Sequence, residues 1–150
     1  MPINEFPFIK ASAHSRLRPM LHVRITNPHS GLFMDTIGLI DTGADQCALP
    51  AQFADFLGHS LEAGQAKKIG TGNGVTMAYS HTCRIEIFDT AAPQHGQGFV
   101  VHTIQDAPID FMPNLSTVLL GVGNFLGRFT LTIDYPQKTF SICSPAGRIV

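Results

Sequence analysis

The chain reads as all-β: a closed arrangement of short strands with one short helix. Three observations carry this. Short runs such as Leu21–Thr26 and His81–Asp89 alternate apolar and polar residues, as half-exposed strands do. Clusters of Gly, Pro and Asn punctuate the chain between these runs. Helical spacing is confined to a weak instance over Ala51–Leu57 and a short helix-like piece at Asn124–Gly127. At 150 residues and 16.2 kDa, a single domain spanning 1–150 is expected, large enough for one core.

Met1–Ala13 is irregular, with Pro2 and Pro7 framing Phe6 and Phe8, and reads as a free terminus. Leu21–Thr26 is the first strand. The turn Asn27-Pro28-His29-Ser30-Gly31 leads into Phe33–Ile40, which returns as the second strand of a hairpin. Cys47–Pro50 is a short strand stopped by proline. Lys67–Tyr79 carries Gly70, Gly72, Asn73 and Gly74 between two strand-like arms, so a hairpin with positive φ at its tip is expected. A phosphate-cradling loop would need a helix after these glycines, and Val75–Tyr79 is strand-like instead. His81–Asp89 and Gly98–Ile104 are strands separated by a polar loop at Thr90–Gln97. Pro108–Asn114 is an irregular bridge, and Phe129–Ile133 and Thr139–Cys143 are strands flanking a turn at 134–138.

Composition narrows the function classes. Hydrophobic residues make up 44% and charged residues 14%, with mean hydropathy +0.13, so a sizeable apolar area is expected to meet a partner chain. Net charge is −1 and no basic run exceeds Lys67-Lys68, which argues against nucleic acid as the partner. No apolar run is long enough to cross a bilayer as a helix and Met1–Glu5 lacks a signal-peptide start, so a cytoplasmic protein without a membrane partner is expected. Cys47, Cys83 and Cys143 form no Cys-x-x-Cys pair, and seven scattered histidines form no ligand-spaced pair. No metal and no cofactor is expected.

The chemistry-bearing stretch is Leu39-Ile40-Asp41-Thr42-Gly43-Ala44-Asp45. An apolar run, Ile37–Ile40, ends on a carboxylate and enters a turn where Gly43 removes the side chain that would block close approach. A carboxylate buried there without a close partner would hold its proton more tightly, which suits proton transfer. Far downstream Val118-Leu119-Leu120-Gly121 repeats the apolar-apolar-Gly pattern, and the glycine-tipped hairpin lies between the two. In order and spacing, Leu39–Ala44, Gly70–Gly74 and Val118–Phe125 with the strand Phe129–Asp134 resemble the retropepsin-like aspartic proteases. These are the single-lobe relatives of the retroviral proteases, and the resemblance is closer to bacterial and cellular members.

That resemblance implies a retropepsin-like fold: one closed β-barrel-like lobe per chain, with a flap hairpin and one short helix, assembled as a homodimer. It implies that Asp41, Thr42 and Gly43 form the catalytic turn, with Asp41 as the catalytic carboxylate and Thr42 hydrogen-bonding across the dimer axis. Ala44 and Asp45 would bind substrate main chain, and Gly72, Asn73 and Gly74 would offer flap-tip amides. Leu120 and Gly121 would support the turn from below. Two carboxylates are needed for this chemistry and the chain has one Asp-Thr-Gly, so a symmetric homodimer supplying Asp41 twice is the economical arrangement. Asp110 lacks an Asp-Thr/Ser-Gly context and is not taken as the second. The expected substrate is an extended polypeptide. In the family the terminal strands interleave at the base of the dimer, where Phe6, Phe8, Ile142 and Ile149 are the apolar candidates. The retroviral Gly-Arg-Asn pattern is broken here by Val122 and Gly123 before Asn124.

Two other classes stand beside this one. A catalytically idle homodimer of the same fold could bind peptides or proteins. A metal-dependent phosphatase- or transferase-type enzyme could use Asp41 as nucleophile, but that class usually has a further carboxylate two residues on, where this chain has Gly43.

Overall fold

The computed structural model describes residues 2–90 and 98–146. In chain order the strands are β1 (Pro2–Pro7), β2 (Met20–Thr26), β3 (Phe33–Ile40), β4 (Cys47–Pro50), β5 (Gln65–Thr71), β6 (Gly74–Asp89), β7 (Phe99–Met112), β8 (Val118–Leu120), β9 (Thr130–Asp134) and β10 (Thr139–Cys143). The one-turn helix α1 (Phe53–Phe56) follows β4. No helix among the described residues is long and apolar enough to cross a membrane.

Six strands close into a barrel in the order β2-β3-β8-β4-β7-β6, sealed by antiparallel pairing of β6 back onto β2. Closure removes the exposed edges that an open sheet would present. β3 runs parallel to β8 and β4 parallel to β7, while single-residue pairing of Ala48 with Leu119 joins β4 to β8. The inside is filled by Leu21, Val23, Ile25, Ile85, Ile87, Ile109, Phe111 and Leu120, each at most 1% exposed. In β2 and in the second half of β6 these residues alternate with more exposed positions, as the period-2 pattern requires.

The 16-residue β6 belongs to two structures. Its C-terminal part, Arg84–Phe88, pairs with β2 and closes the barrel. Its N-terminal part, Gly74–Ser80, pairs with β5 and forms a hairpin that extends beyond it. The two-residue connection is Gly72-Asn73, but positive φ falls on Gly74 (113°) and on neither connecting residue. The reversal is thus completed at the first residue of β6.

Four stretches differ from what the sequence predicts. The expected irregular terminus contains β1, which pairs with β10 in a second sheet of order β1-β10-β9. Phe6 and Phe140 stack with ring centroids 5.5 Å apart, and Ile3 pairs with Ile142. Phe6, Phe8 and Ile142 are buried within the single chain; Ile149 lies outside the described residues. The supposed bridge Pro108–Asn114 is, as far as Met112, the end of β7. Most of the expected loop at Thr90–Gln97 lies outside the described residues. The helix over Ala51–Leu57 shrinks to one turn, because Gly58 at φ 73° ends it and only Ala54 and Leu57 are buried. The helix-like piece at Asn124–Gly127 is a 3₁₀ turn displaced to Leu126–Arg128.

Candidate active site

β3 ends at Ile40, and Asp41 begins a turn held from three sides. The Asp41 amide donates to the Leu120 carbonyl at 3.1 Å, so β8 fixes where the strand stops. The Gly43 amide donates to Asp41 Oδ1 at 2.9 Å, an Asx-type contact that sets the carboxylate's orientation. The Ala44 amide returns to the Asp41 carbonyl at 3.3 Å.

Beneath the turn, the chain after β8 runs so close that only glycine fits. A Cβ on Gly121 would lie 2.3 Å from the Gln46 carbonyl oxygen and 2.7 Å from that of Ala44; one on Gly123 would lie 2.6 Å from the Asp45 carbonyl oxygen. In return Val122 and Gly123 donate to the Ala44 and Asp45 carbonyls at 2.9 and 2.7 Å. The Ala44 and Asp45 carbonyls thereby each find a backbone donor. Gly38 plays the same part within β3, where a Cβ would meet the Leu120 side chain at 2.6 Å.

Asp41 is half-buried, not sealed as the strand pattern suggested, because the turn opens into a cleft of about 650 Å³. Asp41, Gly43, Ala44 and Asp45 line one side of this cleft, and Lys67 to Gly72 of the β5 arm line the other. Between them Ala48, Met112, Leu115 and Leu119 form an apolar floor, part of a small cluster that also takes in Ala78 and Ile69. Along β8 the side chains divide: Leu119 faces the cleft while Leu120, fully buried, anchors the barrel core.

The sequence-predicted residues are therefore only partly gathered. Thr42 is exposed, outside the cleft lining, and makes no side-chain hydrogen bond among the described residues. Gly72 reaches the cleft, whereas Asn73 and Gly74 stand exposed at the hairpin tip beyond it.

Asp110 is the residue that sequence reasoning placed outside the site and the fold places in it. It lines the cleft from β7, 4% exposed, with Lys67 Nζ 2.8 Å from its Oδ1. Across the sheet the register runs Leu39, Leu119, Ala48, Asp110. That is three strand spacings, about 14 Å along the curved sheet, too far for this carboxylate to share a proton with Asp41. The available signal was a lone charge inside the apolar run Ile109–Met112, which buried strands carry only when it is paired.

Two further features lie away from the cleft. A cavity of about 340 Å³ is lined by His22, Arg24, Asp35 and Phe88 and by none of the sequence-predicted site residues; Arg24 and Asp35 there satisfy each other through two hydrogen bonds of 2.7 and 2.9 Å. At the base of β5, His59 and His81 stack 4.4 Å apart against Phe111, with His59 Nε2 3.3 Å from Cys83 Sγ. Burial, reinforced by His81, pushes His59 down to about 4. Among the described residues no group of three or more His, Cys, Asp or Glu could hold a metal ion.

Comparison with protein-family models and with curated proteins returns no match. Among solved structures, a retropepsin-like aspartic protease from Rickettsia conorii aligns with a TM-score of 0.51 at 21% identity, over 82% of this chain and 90% of that one. A likeness of this kind establishes fold. The chain has the retropepsin-like fold, one all-β lobe built around a closed barrel, in agreement with the family its motifs resemble.

Proposed function

We propose that this chain is an aspartic endopeptidase acting as a symmetric homodimer, with Asp41 and the partner's Asp41 as the catalytic dyad. The observation that carries the reading is the position of Asp41: oriented by the Gly43 amide, braced by Leu120 and Gly121, and opening into a cleft whose opposite wall is the β5–β6 hairpin. The exposed Thr42 hydroxyl, which makes no side-chain hydrogen bond among the described residues, fits a contact across the two-fold axis.

In the reaction, the dyad holds one proton between two carboxylates, since two like charges that close do not both ionise cheaply. The ionised member removes a proton from a water molecule as it attacks the peptide carbonyl, and the protonated member donates to the carbonyl oxygen. Substrate lies extended between the Asp41–Asp45 turn and the hairpin. There the hairpin serves as a flap whose tip amides at Gly72, Asn73 and Gly74 meet the peptide backbone.

The test is cleavage of a peptide library by wild type and Asp41→Asn across acidic to neutral pH, with protein concentration varied. Cleavage should fall by at least about 100-fold in the variant, and activity per chain should rise with concentration in the dimerising range. Equal cleavage by both proteins would overturn the assignment. Peptide binding without cleavage in either would leave the second reading, a retropepsin-fold homodimer that recognises peptides.

A further inference from the structure

The dyad mechanism leaves three charged residues of the cleft unused: the exposed Lys68, and Lys67 with Asp110, which lie against each other. Asp110 lies between Ile109 and Phe111, both fully buried, and Lys67 Nζ approaches its Oδ1 at 2.8 Å without the alignment of a hydrogen bond. No other group bonds that oxygen among the described residues. Lys67 itself keeps 37% of its side chain exposed. Ala48, Ile69, Met112 and Leu119 supply the apolar part of the cleft lining, to which Gln46, Lys68 and Thr71 add polar groups.

Stability does not account for such a pair. Desolvating two charges costs about as much as their attraction returns, and an apolar pair of similar volume commonly serves a fold as well or better. A carboxylate has room for several donors and an ammonium has three to offer. Here one incompletely aligned contact joins them, on the wall of the cavity that Asp41 opens into.

We propose that Lys67 and Asp110 are specificity-determining residues: together they tip a subsite floored by apolar side chains with one donor and one acceptor, and select a substrate residue bearing an uncharged amide, Gln or Asn. An amide donates through its NH₂ to the Asp110 carboxylate and accepts from Lys67 through its oxygen. A substrate carboxylate could pair with Lys67 but would face Asp110; an ammonium would meet the reverse. An aliphatic tip would cover the pair and offer neither group a partner. Each mismatch leaves a desolvated polar group, worth roughly tenfold or more in discrimination. The inference rests on the reading of the cleft as a peptide site.

The test uses peptides identical except for Gln, Leu, Glu or Lys placed in turn at each position around the cut, with kcat/KM measured for wild type, Lys67→Met and Asp110→Asn. Wild type should favour Gln at one position by roughly tenfold or more. Lys67→Met, which leaves the carboxylate, should move that position toward Lys; Asp110→Asn, which leaves the ammonium, should move it toward Glu. If Asp110→Asn does not fold, Lys67→Met decides the matter alone, since it alters a partly exposed side chain. Side-chain preferences unchanged in the variants, with cleavage intact, would overturn the subsite and leave the peptidase standing. If wild type cleaves nothing, the same peptides are compared by fluorescence anisotropy. The predicted order, with opposite shifts in the variants, would then uphold the subsite while ending the peptidase reading, and absence of binding would overturn the subsite.

Discussion

Replacing Gly121 by alanine tests the support beneath Asp41 directly. The added Cβ would sit 2.3 Å from the Gln46 carbonyl oxygen and 2.7 Å from that of Ala44, where ordinary contact begins near 3.4 Å. Both obstacles are backbone, so a side-chain rotation cannot relieve them. The strands must separate by about 1 Å, and this stretches the bonds from Val122 to Ala44 and from Gly123 to Asp45, now 2.9 and 2.7 Å. Overpacking together with two weakened hydrogen bonds gives a cost of about 3–5 kcal/mol. For a domain of this size that lowers the melting temperature by about 6–20 °C. Displacing the carboxylate by a similar distance should cut cleavage about 100-fold. Two controls calibrate the result. In Gly38→Ala the obstacle is the Leu120 side chain, which can partly yield, so about 1–3 kcal/mol is expected. In Gly70→Ala nothing lies within 4 Å, and stability should be unchanged or higher by up to about 1 kcal/mol. Thermal unfolding that ranks Gly121→Ala with Gly70→Ala would refute the close-approach argument.

Acid should weaken the fold through its histidines. Burial holds His22, His59 and His102 below the usual range, His59 at about 4, so as pH falls below about 6.5 the unfolded chain gains protons that the native chain refuses. Stability contributed by neutral His59 is full above that pH and is lost progressively toward pH 4. With allowance for solvent screening of this partly exposed ring, the loss is on the order of 1–2 kcal/mol. Urea midpoints between pH 7.5 and 4.5 should show the slope, and His59→Gln should flatten it; a slope unchanged by that substitution would count against the assignment. Thiol labelling gives a separate check. Burial pushes Cys47 up to about 11 and Cys83 up to about 12, so at pH 8 both should resist alkylation until the protein unfolds, while the half-buried Cys143 reacts first. Rapid native-state labelling of Cys83 would contradict its place in the core.

What could be read from the sequence was whatever local pattern determines. Leu21–Thr26 alternates, and it is β2; Ile37–Ile40 is a continuous apolar run ending at a carboxylate, and β3 stops where that run stops. The Gly-rich stretch at 70–74 is a hairpin because few other residues would permit the reversal, although only Gly74 uses positive φ. What could not be read depends on distant partners. β1 has two prolines and little alternation, and it exists because Phe6 and Ile3 meet Phe140 and Ile142 from the far end of the chain. The last residues of β7 were obscured by Pro108, which sits opposite Thr82 next to a register shift. Asp110 was passed over for the same reason: its importance lies in a cation more than forty residues earlier in the chain, on a strand that does not neighbour its own.

The pairing of β1 with β10 also sets a schedule. Pro2 has no sheet partner until Cys143 has been synthesised, so β1 can join the β9–β10 hairpin only after about 140 further residues have been made. The barrel, by contrast, is complete in its strands once β8 emerges. Loops this long close slowly, and contacts of such sequence separation come late in folding. During synthesis β1 and the residue after it would therefore stay unpaired, carrying Ile3, Phe6 and Phe8, apolar residues that end in the core. That interval, more than the finished fold, is when this chain is most exposed to aggregation.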